Sequence, residues 1–370
     1  DEPCVDAISV EIPPVPIIRD ADLAIVGGGT SGSIAAYQAG VLGVPTVCVE
    51  AYSDVGGVST VGGVPAYWFG RRTPFFKQLH GRIKREVREK DLSVALALLS
   101  MIEDSGTEVL LGTQTMGAAV NGESVGYAVV ATAGGLAAIG AKGFIDATGD
   151  GDIAAWSGAS YTYGTGRDEA TLWCSFGSYR RGRDEAFRQF MSVADQRSVH
   201  DYTRAIVAGR RMGSTRGPYI QHYLALRESR HITGNETVKY RDVMMGRAFP
   251  NSVLYFKSDV DIKGVASSRE ALCGYIEVSF LQNYSAGVPY GAIVPRKLDN
   301  VLVAGRAYSV THDASGMARM QPDVMSLGAV AAYAFRRAMR DAEGKPSQID
   351  VAALQAELME AGILVNDLGI

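Results

Sequence analysis

The sequence predicts an α/β fold built around a nucleotide-binding βαβ unit, and three observations carry that reading. A short apolar run at 22–26 leads into Gly27-Gly28-Gly29-Thr30-Ser31-Gly32, and a helix of small residues follows at once. A second apolar run, 44–50, ends on an acid, Glu50. Much later a strand returns at 301–304, ends in Gly305-Arg306, and precedes a long helix of small residues at about 323–340.

The elements follow in order. Residues 1–20 contain Pro13, Pro14 and Pro16 and read as an extended lead-in. Strand 22–26, the glycine loop, a helix from Ser33 to about Leu42 stopped by Gly43, and strand 44–50 complete the βαβ unit. Next come Gly56, Gly57, Gly62 and Gly63, then the aromatic run Tyr67-Trp68-Phe69. Residues 79–99 read as one helix, charged at its start. Strands are predicted at 108–111, 127–131 and 143–146, with turns at Asn121-Gly122 and Gly134-Gly135. The middle, 167–285, mixes helical and strand signals. Ser347 is placed to cap a last amphipathic helix at 349–361.

Composition narrows the function classes. The 370 residues are 47% hydrophobic and 21% charged, as in ordinary globular enzymes, and a net charge of −4 argues against a general electrostatic grip on nucleic acid. Cys4, Cys48, Cys174 and Cys273 form no CxxC pair, and the five histidines form no HExxH, so neither a disulfide framework nor a metal site is expected. The apolar helical stretch 92–102 is too short to span a bilayer. A start at Asp1 rather than Met fits removal of an export signal as well as a trimmed start, which leaves location open between exported and cytoplasmic.

The glycine loop has a chemical reason. A dinucleotide pyrophosphate must approach backbone closely, so Gly27 makes the tight turn, Gly29 leaves room for phosphate, and Gly32 lets the helix pack on the strand. Thr30 and Ser31 complete the loop, and helix-start N–H groups there meet the phosphate oxygens. Glu50 lies 23 positions after Gly27, near the usual spacing of about 20 for the acid that accepts ribose hydroxyls. A carboxylate there repels a 2′-phosphate, which disfavours NADP.

Four segments together resemble the FAD-dependent oxidoreductase family of the glutathione-reductase-like flavoproteins. They are 25–32; Glu50 with Val55-Gly56-Gly57-Val58-Ser59-Thr60; 144–152; and 300–306, with Arg227-Glu228-Ser229-Arg230 also similar. The resemblance implies a discontinuous Rossmann-like FAD-binding domain, three-layer ββα, over 18–70, 105–165 and 288–345. An α+β substrate or cap domain would occupy 71–104 and 166–287, with a C-terminal helix in 346–370. It also implies FAD lying extended, adenine toward Glu50, with Gly56, Gly57 and Thr60 along the path to the flavin ring. Thr148, Gly149 and Asp150 would sit where the returning strand passes the cofactor, and Gly305 and Arg306 near the pyrophosphate or ribityl chain. Many relatives have an acid where Arg306 stands. A guanidinium cannot accept the ribityl hydroxyl, so Arg306 would neutralise pyrophosphate instead. The helix after Pro322 would aim its N-terminus at the flavin.

The flavin would carry the electrons, so the protein must orient substrate and manage a proton. His312, in Ser309-Val310-Thr311-His312-Asp313, is the candidate base; the plainer alternative is a loop histidine bonded to backbone beside Asp313. Tyr67 and Arg71, with Trp68, Phe69 and Arg72, would form a substrate wall and a carboxylate clamp, or else an aromatic cluster with solvated arginines. Residues 197–247 hold ten Lys or Arg against four acids, which suits a solvated basic helix, a subunit contact in a homo-oligomer, or a cap that attracts an anionic substrate. Arg319 is a further candidate anion contact.

A second glycine-loop unit is missing, since 134–140 suits a β-turn between strands, so a built-in NAD(P)H site is not expected. The expected function is therefore that of a dehydrogenase or oxidase taking hydride from a small polar substrate, sugar-like or carboxylate-bearing, to flavin N5. The electron acceptor, oxygen or a carrier, is open. A flavin monooxygenase and a non-catalytic flavin-binding protein are the alternatives.

Overall fold

Strand β1 (Ile17–Val26) is the spine of the main sheet, exposed over 17–20 and fully buried over 23–26. It begins five residues before the apolar run because its exposed end pairs with a neighbouring strand, Ile17 opposite Ala138. The structure, a computed structural model, describes residues 14–180, 186–190, 193–212, 218–268 and 284–365. Cys4, Pro13, Arg216 and Cys273 lie outside the described residues.

β1 is flanked in parallel by β2 (Thr46–Val49) and β6 (Gly135–Asp146), with β3 (Glu108–Leu110) beyond β2 and β14 (Val301–Val303) beyond β6. The first half of β6 pairs antiparallel with β5 (Ser124–Thr132), which pairs with β4 (Gln114–Asn121). Gly122, at φ 63°, makes the β4–β5 turn that Asn121-Gly122 predicts. The sheet is thus mixed, its parallel part carrying near-continuous apolar strands because both faces are covered.

Helix α1 (Gly32–Val41) packs on that sheet beside the long α8 (Gln321–Asp341). Ile34, Ala35, Ala36 and Ala39 are all fully buried, as expected for a helix enclosed on every side. α8 reaches the sheet because Gly143 has no side chain: a Cβ there would collide with Phe335, itself fully buried. The predicted single helix at 79–99 is two, α2 (Pro74–Lys90) and α3 (Val94–Asp104). Asp91 adopts a left-handed φ of 51°, and Ser93 then caps α3 by accepting from Leu96 N at 3.3 Å. Asp350, rather than Ser347, caps α9 (Val351–Glu360) by accepting from Ala352 N at 2.9 Å. The Ser347 hydroxyl instead donates to Asp299 O.

A second lobe holds an antiparallel sheet of β8 (Ser175–Arg180), β9 (Ala186–Phe190) and β10 (Pro218–Ala225), with helix α5 (Val199–Met212) against β10. It has its own small core of Cys174, Ala194, Ala205, Leu224 and Leu226. The antiparallel pair of β12 (Ser252–Ser258) and β13 (Tyr284–Pro289) belongs to the main core through Phe256 and Ala286. Among the described residues no helix is long and apolar enough to cross a membrane.

Candidate active site

The ends of β1, β2 and β6 converge on the glycine turn. Gly27, at φ 94°, sits so close to β6 that a Cβ would lie 2.6 Å from Ala147 O, and its N–H donates to Val49 O at 2.8 Å. A Cβ on Gly32 would collide with Gly27 O, so only glycine lets α1 start there. Gly29 differs: the nearest atom to a Cβ there is 3.9 Å away, so this position is open. Gly56 and Gly57, at φ 96° and 56°, lay a second turn over the first, with Gly56 N donating to Gly28 O at 2.8 Å.

Glu50, buried at the end of β2, accepts from Gly28 N at 2.7 Å through Oε2 and from Tyr52 N at 2.9 Å through Oε1. Burial pushes its carboxyl above the usual range, and the N–H groups of Tyr52, Gly28 and Ala51 pull it back. Each oxygen has a lone pair left for a diol.

Two cavities, of about 470 and 530 Å³, meet over this turn and share Gly29, Gly57, Thr148 and Arg306 in their walls. Together they form one trough. Its first part holds Glu50 and Thr115; its second reaches Ser31, Gly305 and Gln321, the first residue of α8. Ser31 Oγ is buried without a hydrogen-bond partner, where an anionic oxygen would satisfy it. The trough therefore fits an extended dinucleotide: a ribose acceptor at one end, an open glycine and helix N-terminus in the middle, and a second helix N-terminus at the far end.

The turn after β6 is built on Asp146, which accepts from Thr148 Oγ1 at 2.7 Å and from Ala154 N at 2.9 Å. Burial pushes its carboxyl up to about 6, against those hydrogen bonds. Asp150 holds Arg306 at 2.5 Å, and Asp152 holds Arg230 at 2.6 Å. The segment Arg227-Glu228-Ser229-Arg230 runs along this turn, with Ser229 Oγ donating to Gly149 O at 3.4 Å. Its Glu228 turns inward, accepting from Leu172 N at 2.7 Å and lying 2.9 Å from His231 Nε2 and 2.8 Å from His312 Nδ1. Burial alone would raise Glu228, but the two imidazoles outweigh it and bring the carboxyl down to about 2. Burial lowers His312, but Glu228 and Val265 O outweigh it, so its pKa rises.

Of the residues singled out by sequence, Gly27, Gly29, Thr30, Ser31, Glu50, Gly57, Thr148, Gly149, Asp150, Gly305 and Arg306 line the trough, and Gly32 and Gly56 shape it from behind. Thr60 braces the turn, its hydroxyl donating to Val55 O at 2.6 Å. Tyr67, Arg71 and His312 point elsewhere. The Tyr67 ring lies edge-on to Phe76 and His80. The Arg71 backbone N–H donates to Asp323 Oδ1 at 2.7 Å, and its guanidinium sits over Tyr255. His312 is committed at both nitrogens, to Glu228 and to Val265 O. Trp68 and Phe69 line the cavity instead, joined by Arg227, Asp261, Lys263 and Arg319. Of the basic stretch, Arg197, Arg227 and Arg230 reach the trough, while Arg204 and Arg247 pair with Asp201 and Asp242. Asp261 and Lys263 carry no signal in the sequence, since they lie in a segment without regular secondary structure.

A βαβ turn of this kind, an acid at the end of β2 and a two-chambered trough define a dinucleotide-binding protein. The chain belongs to the FAD dependent oxidoreductase family, whose model matches residues 22–216 and 212–358, and FAD is its cofactor. Among curated proteins it is similar to the mitochondrial dihydrolipoyl dehydrogenase of Canis lupus familiaris, 33% identical over 91 residues, which is 24% of this chain and 18% of that protein. The Caenorhabditis elegans enzyme of the same name is 47% identical over 49 residues, 13% and 10% of the two chains. The match thus spans less than a fifth of each relative. Similar solved structures include a geranylgeranyl bacteriochlorophyll reductase-like protein from Thermoplasma acidophilum, with 12% identity, TM-score 0.45 and coverage of 93% and 84%. Another is p-nitrophenol 4-monooxygenase from Pseudomonas putida DLL-E4, with 11% identity, TM-score 0.47 and coverage of 94% and 84%.

Proposed function

We propose that this flavoprotein is a dehydrogenase or oxidase of a small polar, carboxylate-bearing substrate, within the glutathione-reductase-like group. The carrying observation is the second chamber of the trough. Among the described residues it places aromatic Trp68 and Phe69 together with the cationic Arg227, Lys263, Arg306 and Arg319 and the acid Asp261, beyond the phosphate-binding turn.

Bound FAD supplies a hydride acceptor at its ring nitrogen N5. The chain's own residues bind and orient. Glu50 would accept ribose hydroxyls, Gly29 and Ser31 would receive the pyrophosphate, and Arg306, steadied by Asp150, would offset its charge. The N-terminus of α8 favours negative charge at the inner end. Trp68 and Phe69 line the chamber. The division into a cofactor domain (18–70, 105–165, 288–345) and a cap (71–104, 166–287) belongs to the same reading.

His312 serves this site as a positioning residue. It begins helix α7 (His312–Ala318) and holds Val265 O at 2.8 Å, while its neighbour Asp313 accepts from Ser267 N at 3.0 Å and Ser268 N at 2.5 Å. These contacts fix the segment that brings Asp261 and Lys263 to the cavity. A role as base would require one of those bonds to open.

The test is anaerobic mixing of the FAD-loaded protein with small hydroxy acids, amino acids and sugar acids. Bleaching of the visible flavin band by one class supports the reading. Bleaching only by added NAD(P)H, followed by oxygen uptake once air is admitted, would replace it with a monooxygenase.

A further inference from the structure

The first chamber of the trough, of about 470 Å³, is walled by both lobes. Glu50 and Thr115 line it from the main sheet, and Gln196, Arg197, Val199 and Tyr202 line it from the second lobe, where α5 begins. Val199 opens α5 with an apolar side chain that is 71% exposed, and Tyr202 stands three positions further along. An apolar and an aromatic side chain lining one cavity suit the flat face of a base.

That wall is held by a node of side chains at the turn before α5. Asp195 Oδ1 accepts from the Tyr163 hydroxyl at 3.1 Å, from Arg197 N at 2.9 Å and from Arg197 Nε at 3.0 Å. The Tyr163 oxygen itself accepts from Gln196 N at 3.3 Å, and the Arg197 guanidinium lies 4.1 Å from the centre of the Tyr163 ring. Asp195 N donates to Asp201 Oδ2 at 2.7 Å, which ties the turn to the start of α5. Tyr163 ends β7 (Tyr161–Tyr163), which pairs with β11 (Arg230–Ile232), and Arg230 holds Asp152 beside the phosphate turn. Burial would raise the Asp195 carboxyl, but the bonds from Arg197 and Tyr163 outweigh it and bring it below the usual carboxylate range.

We propose that this node, centred on Asp195, closes the start of α5 over the adenosine half of FAD, so that the second lobe helps to retain the cofactor. The clasp rests on the reading that places adenosine beside Glu50, and it holds whichever substrate the inner chamber takes. Asp195 and Tyr163 are positioning residues: they set where Gln196, Arg197, Val199 and Tyr202 stand. A ligand with only the ADP half of FAD is then enough to engage both lobes.

The experiment uses the full chain freed of FAD, with ADP as the probe and amide hydrogen exchange as the readout. In the wild type, ADP is expected to slow exchange both in the glycine loop, 27–32, and in 196–202. In Asp195→Ala, saturating ADP should still slow the loop but no longer 196–202, whereas a merely structural loss would speed 196–202 equally with and without ADP and leave the slowing by ADP in place. Asp195→Asn, which keeps an acceptor oxygen, should retain part of the effect. Tyr163→Phe keeps the ring beneath Arg197 and removes the hydroxyl, and it serves if Asp195→Ala does not fold. FAD release from the loaded protein, followed as recovery of flavin fluorescence on dilution, should be at least about 10-fold faster in Asp195→Ala, the size of one charge-assisted hydrogen bond. Slowing of the loop without 196–202 in the wild type, full slowing of both segments in the variants, or unchanged FAD release would each overturn the clasp. No slowing of the loop in the wild type would instead overturn the placement of adenosine itself, and the clasp with it.

Discussion

Glu228 and His312 stand 84 positions apart in sequence, yet both carboxylate oxygens of Glu228 lie 2.8 Å from His312 Nδ1 in the interior, with side chains 0% and 3% exposed. His312 Nε2 is 2.8 Å from Val265 O. A carbonyl only accepts, so Nε2 carries a hydrogen, and a proton on Nδ1 facing an ionised Glu228 makes the ring an imidazolium. The ion pair joins the segment that runs along the cofactor turn to the first turn of α7.

Glu228→Gln leaves the buried imidazolium without its counter-charge. The variant is expected to lose about 3–5 kcal/mol of stability, the usual consequence of breaking a buried pair from one side, read by urea unfolding. The loss should depend on pH. Glu228, lowered to about 2, stabilises the fold above its ordinary 4.5 and ceases to do so as pH falls through 2. His312, raised above its ordinary 6.5, stabilises fully below 6.5 and loses its contribution as pH climbs through the raised value. The gap between wild type and variant should therefore be widest between 4.5 and 6.5. A gap that is flat across pH would remove the ion pair from the account.

His312→Gln separates positioning from proton transfer. Loss of a general base costs about 10²–10⁴ in rate. If His312 holds the 261–268 segment, the flavin reduction rate at saturating substrate should fall far less than that, while KM rises. A large drop in the saturated rate with KM unchanged would restore it as the base.

Gly29→Ala and Gly32→Ala test the phosphate turn from two sides. A Cβ at Gly29 meets nothing nearer than 3.9 Å, whereas at Gly32 it would collide with Gly27 O. Gly29→Ala should therefore unfold within about 0.5 kcal/mol of wild type, as unobstructed substitutions do, yet bind FAD more weakly. Gly32→Ala should fold poorly or not at all. Equal FAD affinity in wild type and Gly29→Ala would mean that phosphate does not lie over that turn.

Glu50→Gln keeps one acceptor oxygen and loses the charge that serves Gly28 N and Tyr52 N and that the proposed ribose contact uses. FAD affinity should drop at least about 10-fold, as for loss of a charge-assisted hydrogen bond, measured by quenching of free flavin fluorescence. Unchanged affinity would move the adenosine end away from Glu50.

Much of the cofactor end was legible in the sequence because its determinants are local. Gly32 is required by its approach to Gly27 O five positions earlier, and Glu50 follows at the end of the next strand. The substrate end was less legible. Arg319 meets Asp261 across 58 positions, and Glu228 meets His312 across 84, so no spacing rule could pair them. Arg71 was drawn away from the cavity by a partner 252 positions on, Asp323, while Tyr67 packs on the nearby Phe76 and His80 of α2. The break between α2 and α3 was hidden because Asp91, rather than a glycine, takes the left-handed position.

The most direct test is the visible absorption spectrum of the purified protein before and after acid precipitation, with added FAD if the preparation is pale. The account predicts flavin bands on the folded protein and free FAD in the acid supernatant. A protein that stays colourless and takes up no added FAD would contradict it.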